Sequence, residues 1–149
     1  HALDELIAVL DEALARARTP ELKLLALIRT HLDFGFRRAA SLKIVNRDYE
    51  LLEEPRRSEI VAKRGEYPGR GIGILRELDP HARSGDELLS ATILLLGMLN
   101  GVATRPFLRS REDARTLAGE VGALFLYGFL ERSSDKSAGA VLLGGTHDS

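Results

Sequence analysis

Residues 88–106 read LLSATILLLGMLNGVATRP, and no charged side chain occurs among them before Arg105. The chain as a whole is 29% charged, so the stretch needs a physical cause. As a helix, the uncharged run from Leu88 to Thr104 would span ~25 Å, short of the ~30 Å of a hydrocarbon core. Ser90, Thr92, Asn100 and two glycines weaken a membrane-spanning reading further. Apolar residues cover most of the circumference, so the run predicts a helix buried on nearly all sides. A second stretch, DARTLAGEVGALFLYGFLER at 113–132, behaves similarly from Leu117 to Leu130, with Gly119, Gly122, Ala123 and Gly128 set into it.

Two helices apolar nearly all round leave surplus hydrophobic surface in a chain of 149 residues. Gly97 and Gly101 stand four apart, a spacing that lets two helix backbones approach closely. Pairing both helices with the same two of a second copy would bury the surplus as a four-helix bundle. That homodimer would use Leu94, Gly97 and Gly101 from the first helix, and Leu117, Val121, Leu124 and Gly128 from the second. The alternative is that both are core helices of a monomer.

The rest of the chain is read outward from these two helices. Leu3, Leu6, Ile7, Leu10 and Leu14 recur at helical spacing, with Asp4, Glu5, Asp11 and Glu12 between them. Thr19-Pro20 restarts the chain as an N-cap followed by Pro at the first helical position. The helix it opens carries Leu22, Leu25, Ile28, Leu32 and Phe36 on one side and Leu24, Leu27 and His31 on another, so neighbours should wrap it. A shorter helical stretch follows around Ala40 to Leu52, and Pro55 opens another. Ser84 with Glu87, and Ser110 with Asp113, carry the Ser-x-x-acid pattern that satisfies free N–H groups at a helix start. The whole reads as an all-α domain of five to six helices over residues 1–132. A Gly/Ser-rich tail follows at 133–149, in which AVLL has the composition to dock on an apolar surface.

Composition excludes several function classes. A net charge of −1 gives no general affinity for nucleic acid or anionic lipid. Without cysteine there is no disulfide, thiolate chemistry or Cys-based zinc site. No signal peptide precedes the first helix, which points to the cytoplasm, and the start on His1 inside an amphipathic pattern points to a fragment. YPGRGIGIL, residues 67–75, lacks the preceding strand and the glycine spacing of a phosphate loop. Pro68 with Gly69, Gly71 and Gly73 predicts a break or kink near Tyr67 to Gly73. His31 and Asp33 are two apart and point to different helix faces, and no other pair has metal-ligand spacing.

The order of helices resembles the C-terminal, ligand-binding and dimerisation domain of TetR-family transcriptional regulators. HALDELIAVLDEALARARTPELKLLALIRTHLDF, residues 1–34, looks like the helix that follows their DNA-binding head, then the central helix of the ligand domain. NRDYELLEEPRRSEIVAKRGEY, residues 46–67, is similar to a branch that often regulates fatty-acid, aromatic-acid or sterol catabolism. The matching pattern is Arg47, Tyr49 and Leu51, then Pro55, Arg57, Ile60, Arg64 and Tyr67. LLGMLNGVATRP resembles the first dimer helix of that branch, including Gly97, Met98, Asn100 and Pro106.

The resemblance implies a transcriptional repressor whose small hydrophobic or acidic effector shifts the dimer out of its DNA-binding pose. DNA would be met only through a helix-turn-helix, and these residues include no such recognition helix. A pocket between the central helix and the 55–78 region draws on His31, Phe34, Tyr49, Arg64, Tyr67, Met98 and Asn100. Each has a second reading. His31 suits a satisfied histidine on a mostly apolar helix as well as a polar group facing an effector. Arg64 suits an effector carboxylate or phosphate, or a surface ion pair with Glu59 or Glu66. Met98 suits core filling, and Asn100 needs hydrogen-bond partners either across a dimer or at a ligand. A standalone dimerisation module with a protein partner is the alternative function. A small enzyme built on His31 is a third, but no base-and-orienter set supports it. No catalytic residue, metal or cofactor is expected.

Overall fold

The computed structural model describes residues 2–48, 56–103 and 110–131, without the side chains of 39–48, 56–64 and 111. Those residues form five helices and no strand: α1 Ala2–Arg16, α2 Pro20–Asp48, α3 Arg56–Leu78, α4 Gly85–Ala103 and α5 Arg111–Glu131. Tyr49 and the whole 133–149 tail lie outside the described residues.

The helix starts follow from local chemistry. Thr19 Oγ1 accepts from the Leu22 N–H at 3.2 Å, Ser84 Oγ from Glu87 at 3.2 Å, and Ser110 Oγ from Asp113 at 3.1 Å. Each bond satisfies one of the N–H groups that a helix start leaves without a partner. Ser84 Oγ also donates to Glu87 Oε1 at 3.3 Å, so the two side chains of that Ser-x-x-Glu pattern meet.

Helix α2 is the axis of the domain, and each of the other four helices packs against it. Leu24, Leu27, Ile28, Leu32 and Phe34 are buried along it, which is how a central helix with two apolar sides is satisfied. Leu6, Ile7 and Leu10 of α1 close one flank, and Ile74, Leu75 and Leu78 of α3 another. Arg38 leaves helical geometry (φ −134°, ψ 36°), so α2 is two helical pieces joined at a kink. This agrees with the separate helical stretch expected from Ala40.

Helix α3 departs from the sequence expectation. It continues through Pro68 and the three glycines that follow, so the break expected between Tyr67 and Gly73 is absent. The glycine that matters is Gly71, where a Cβ would stand 2.6 Å from Thr92 Cγ2. A stretch that looked like a hinge is in part a close crossing of α3 over α4. Thr92 is fully buried there and gives its hydroxyl proton to the Leu88 carbonyl at 2.8 Å.

The α3–α4 connection holds the end of α5. Arg83 donates from Nη2 to the Phe129 carbonyl at 2.6 Å, and His81 Nε2 donates to the Leu130 carbonyl at 2.6 Å. Both are carbonyls of the last helical turn, which have no partner within the helix. Arg83 also lies over the Phe129 ring at 4.0 Å and pairs with Asp79 at 2.8 Å, the two charged side chains being 6% and 4% exposed. Asp79 in turn accepts from the backbone N–H groups of His81 and Arg83, and between them Ala82 takes a positive φ of 50°. Burial alone would raise the Asp79 carboxyl; these two N–H donors and the guanidinium outweigh it and hold it below its ordinary value.

Candidate functional site

The residues proposed from sequence divide into three groups. His31, Tyr67 and Asn100 meet. The Tyr67 hydroxyl donates to His31 Nδ1 at 2.7 Å, and His31 Nε2 donates to Asn100 Oδ1 at 2.7 Å. One imidazole therefore ties α2 to α3 on one edge and to α4 on the other. The arrangement requires the neutral tautomer with its proton on Nε2, since an imidazolium has no lone pair left for the tyrosine proton. His31 is 4% exposed and Tyr67 5%, and their rings lie 5.5 Å apart. Burial depresses the imidazole below its ordinary value, and the Asn100 bond offsets only part of that. Burial likewise raises the Tyr67 phenol, so both groups are neutral at pH 7. Phe34, one turn along α2 from His31, is buried at 2%.

The second group lies on the outer surface of α4 and α5. Helix α4 buries one stripe, Leu88, Thr92, Leu95, Leu99 and Ala103, whose spacing of three and four residues marks a single face. The expectation that α4 is buried on nearly all sides fails for the single chain. Ile93 is 58% exposed, Leu94 60%, Leu124 72% and Tyr127 71%. A Cβ added at Gly97, Gly101 or Gly128 would meet nothing within 4 Å. Of the proposed pairing residues, Leu94, Gly97, Gly101, Leu124 and Gly128 thus stand on open surface, and Leu117 is half-buried. Val121 is instead buried in the chain's own core, because it follows Ala114 and Ala118 along the stripe of α5 that packs inward. Met98, expected at the pocket, is 40% exposed and stands apart from the His31 group. Helix α4 is also long and apolar enough, by length and composition, to cross a membrane.

The third group cannot be placed. Tyr49 and the Arg64 side chain fall outside the described residues. An open cleft of about 260 Å³ lies elsewhere, between α1, α2 and α5, on the side of α2 away from His31. Among the described residues no cluster of His, Cys, Asp or Glu is arranged to hold a metal.

Sequence reasoning missed Ile93 and Tyr127, although both follow from the spacing of residues it did choose: Ile93 precedes Gly97 by four, and Tyr127 follows Leu124 by three. It also missed the Asp79, His81 and Arg83 group. Asp79-Pro80 signals a turn, but nothing local shows that its neighbours reach carbonyls almost fifty residues away.

A central helix wrapped by four others, with its polar centre sealed and one broad apolar face left uncovered, defines the class: an all-α domain of five helices among the described residues. The chain belongs to the tetracyclin repressor-like C-terminal domains, whose family model matches residues 17–104, that is, α2 through α4. Domains of that family serve regulators as their effector-binding and dimerising part. No curated protein and no solved structure matches the chain significantly.

Proposed function

We propose that this chain is the effector-binding and dimerising part of a transcriptional repressor that acts in the cytoplasm as a homodimer and has no enzymatic activity of its own. The observation that carries the reading is the open face of α4 and α5. Leu94, Leu124 and Tyr127 are each at least 60% exposed there, beside glycines with free space above them. A patch of that character on a soluble domain stabilises association when a second copy covers it. The symmetric partner is the economical occupant, since a two-fold axis brings α4 and α5 of both copies into one four-helix layer. Sedimentation equilibrium of the chain tests this: a dimer is expected, and a monomer at every concentration contradicts it.

The effector, of acyl, aromatic-acid or sterol type, binds beside α2 and α3 near His31, Phe34 and Tyr67, with Arg64, three positions before Tyr67 in the sequence, as the candidate for an acidic headgroup. The His31 group supports this placement because it joins α2, α3 and the helix that carries the pairing face. A ligand that moves α3 acts on α4 through one imidazole. Operator binding then depends on how far the effector prefers the pose that fits DNA poorly, through a helix-turn-helix outside these residues. Decanoate is a suitable probe. It should raise the thermal midpoint of the wild type and raise it less in Tyr67→Phe; an equal rise in both would move the effector away from α3.

A further inference from the structure

The cleft between α1, α2 and α5 lies apart from the His31 group. Val9, Arg29, Thr30, Asp33, Ala114 and Arg115 line it. Two arginines from different helices, Arg29 of α2 and Arg115 of α5, stand exposed at its lining, and among the described residues neither has an ion-pair or hydrogen-bond partner. The one carboxylate at the rim, Asp33, is taken by Arg37 at 2.9 Å, so it does not neutralise them. The Thr30 hydroxyl adds a neutral donor, and Val9 with the buried Ala114 supplies an apolar wall. Several other arginines are paired, Arg70 with Asp11, Arg38 with Glu5 and Arg83 with Asp79. What sets Arg29 and Arg115 apart is that both line the same concavity.

We infer that this cleft binds a small organic monocarboxylate, its charge held between Arg29 and Arg115 and its hydrocarbon end against Val9 and Ala114. A guanidinium offers a planar fork that matches a carboxylate, and a second one from another helix adds a further charge-assisted donor. The volume of about 260 Å³ sets the size of the ligand. It falls just under the ~300 Å³ at which drug-sized sites begin, which suits an acid of benzoate size. The apolar wall separates this ligand from a bare anion, which would leave half the cleft wet. The site does not rest on the effector reading, since it lies on the other side of α2.

Benzoate is the probe, titrated into the full 149-residue chain while backbone amides are followed by NMR. Saturable shifts are expected at Thr30, Ala114 and Arg115, with Tyr67 and Asn100 unmoved. Arg29→Gln and Arg115→Gln should each weaken binding by about tenfold, the loss of one charge-assisted hydrogen bond, and neither arginine holds the fold together. Benzamide, of the same shape without the charge, should bind more weakly than benzoate. The proposal is overturned by the absence of saturable shifts, by shifts centred on Tyr67 and Asn100, by affinity unchanged in both arginine variants, or by inorganic phosphate binding more tightly than benzoate.

Discussion

At the scale of single residues, the close crossing at Gly71 and the proton position on His31 make the sharpest claims. A Cβ at Gly71 would press on Cγ2 of Thr92, a fully buried, branched side chain. Gly71→Ala should therefore cost about 1–3 kcal/mol by overpacking, measured by urea unfolding, although alanine is the better helix former. Thr92→Ser removes the offending methyl and keeps the hydroxyl bond to Leu88, so the double variant should recover much of the loss. For His31 the sign is set by burial. The folded state holds the imidazole below its ordinary value, so near and below ~6.5 the unfolded chain binds more protons. The stability that neutral His31 contributes is complete above that value and is lost as pH falls through it toward the folded pKa. His31→Gln should flatten this part of the pH profile of unfolding; an unchanged slope would show that His31 is not what titrates. Gly71 and His31 were unequally legible. His31 stood out as a polar residue on an apolar helix, whereas Gly71 was read as a source of flexibility, because its use depends on a residue of α4 that no local pattern can reveal.

At the scale of elements, local chemistry was the readable part. Thr19-Pro20, Ser84 with Glu87, and Ser110 with Asp113 mark starts that the hydrogen bonds bear out, because a cap acts within three residues of itself. The end of α5 was unreadable for the opposite reason, since its last carbonyls are satisfied by Arg83 and His81 from the α3–α4 connection. Removing the arginine leaves Asp79 buried without its cation and the Phe129 carbonyl without its donor. Arg83→Met should therefore cost about 3–5 kcal/mol, the range for breaking a buried pair from one side. Hydrogen exchange should show the loss as faster exchange in the last turns of α5, while α1 keeps its protection relative to the global stability. A variant within experimental error of the wild type would mean that the pair is dispensable. The continuity of α3 through Pro68 has the same lesson: packing on α2 and α4 outweighs the cost of a proline and three glycines within one helix.

At the scale of the whole molecule, the all-α class, the wrapped central helix and most of the core were legible because helical periodicity directly reports which face is buried. The uncharged run from Leu88 reads as a helix needing cover on nearly all sides, part of it from a second copy; within the chain its stripe through Leu95 and Leu99 is covered, and its face through Ile93 and Leu94 is not. Apolar character on all sides says that a helix needs cover but not whose atoms supply it. The family places the chain among domains that pair, and the open glycines make the pairing unusually clean to test. A Cβ at Gly101 meets nothing within 4 Å among the described residues, so Gly101→Leu should leave the protomer's fold and unfolding intact and clash with a second copy. The decisive measurement is sedimentation velocity on the wild type and Gly101→Leu side by side, with circular dichroism as the check on folding. The account predicts a wild-type dimer and an equally helical variant that sediments as a monomer; a monomeric wild type, or a variant that remains an unaltered dimer, contradicts it.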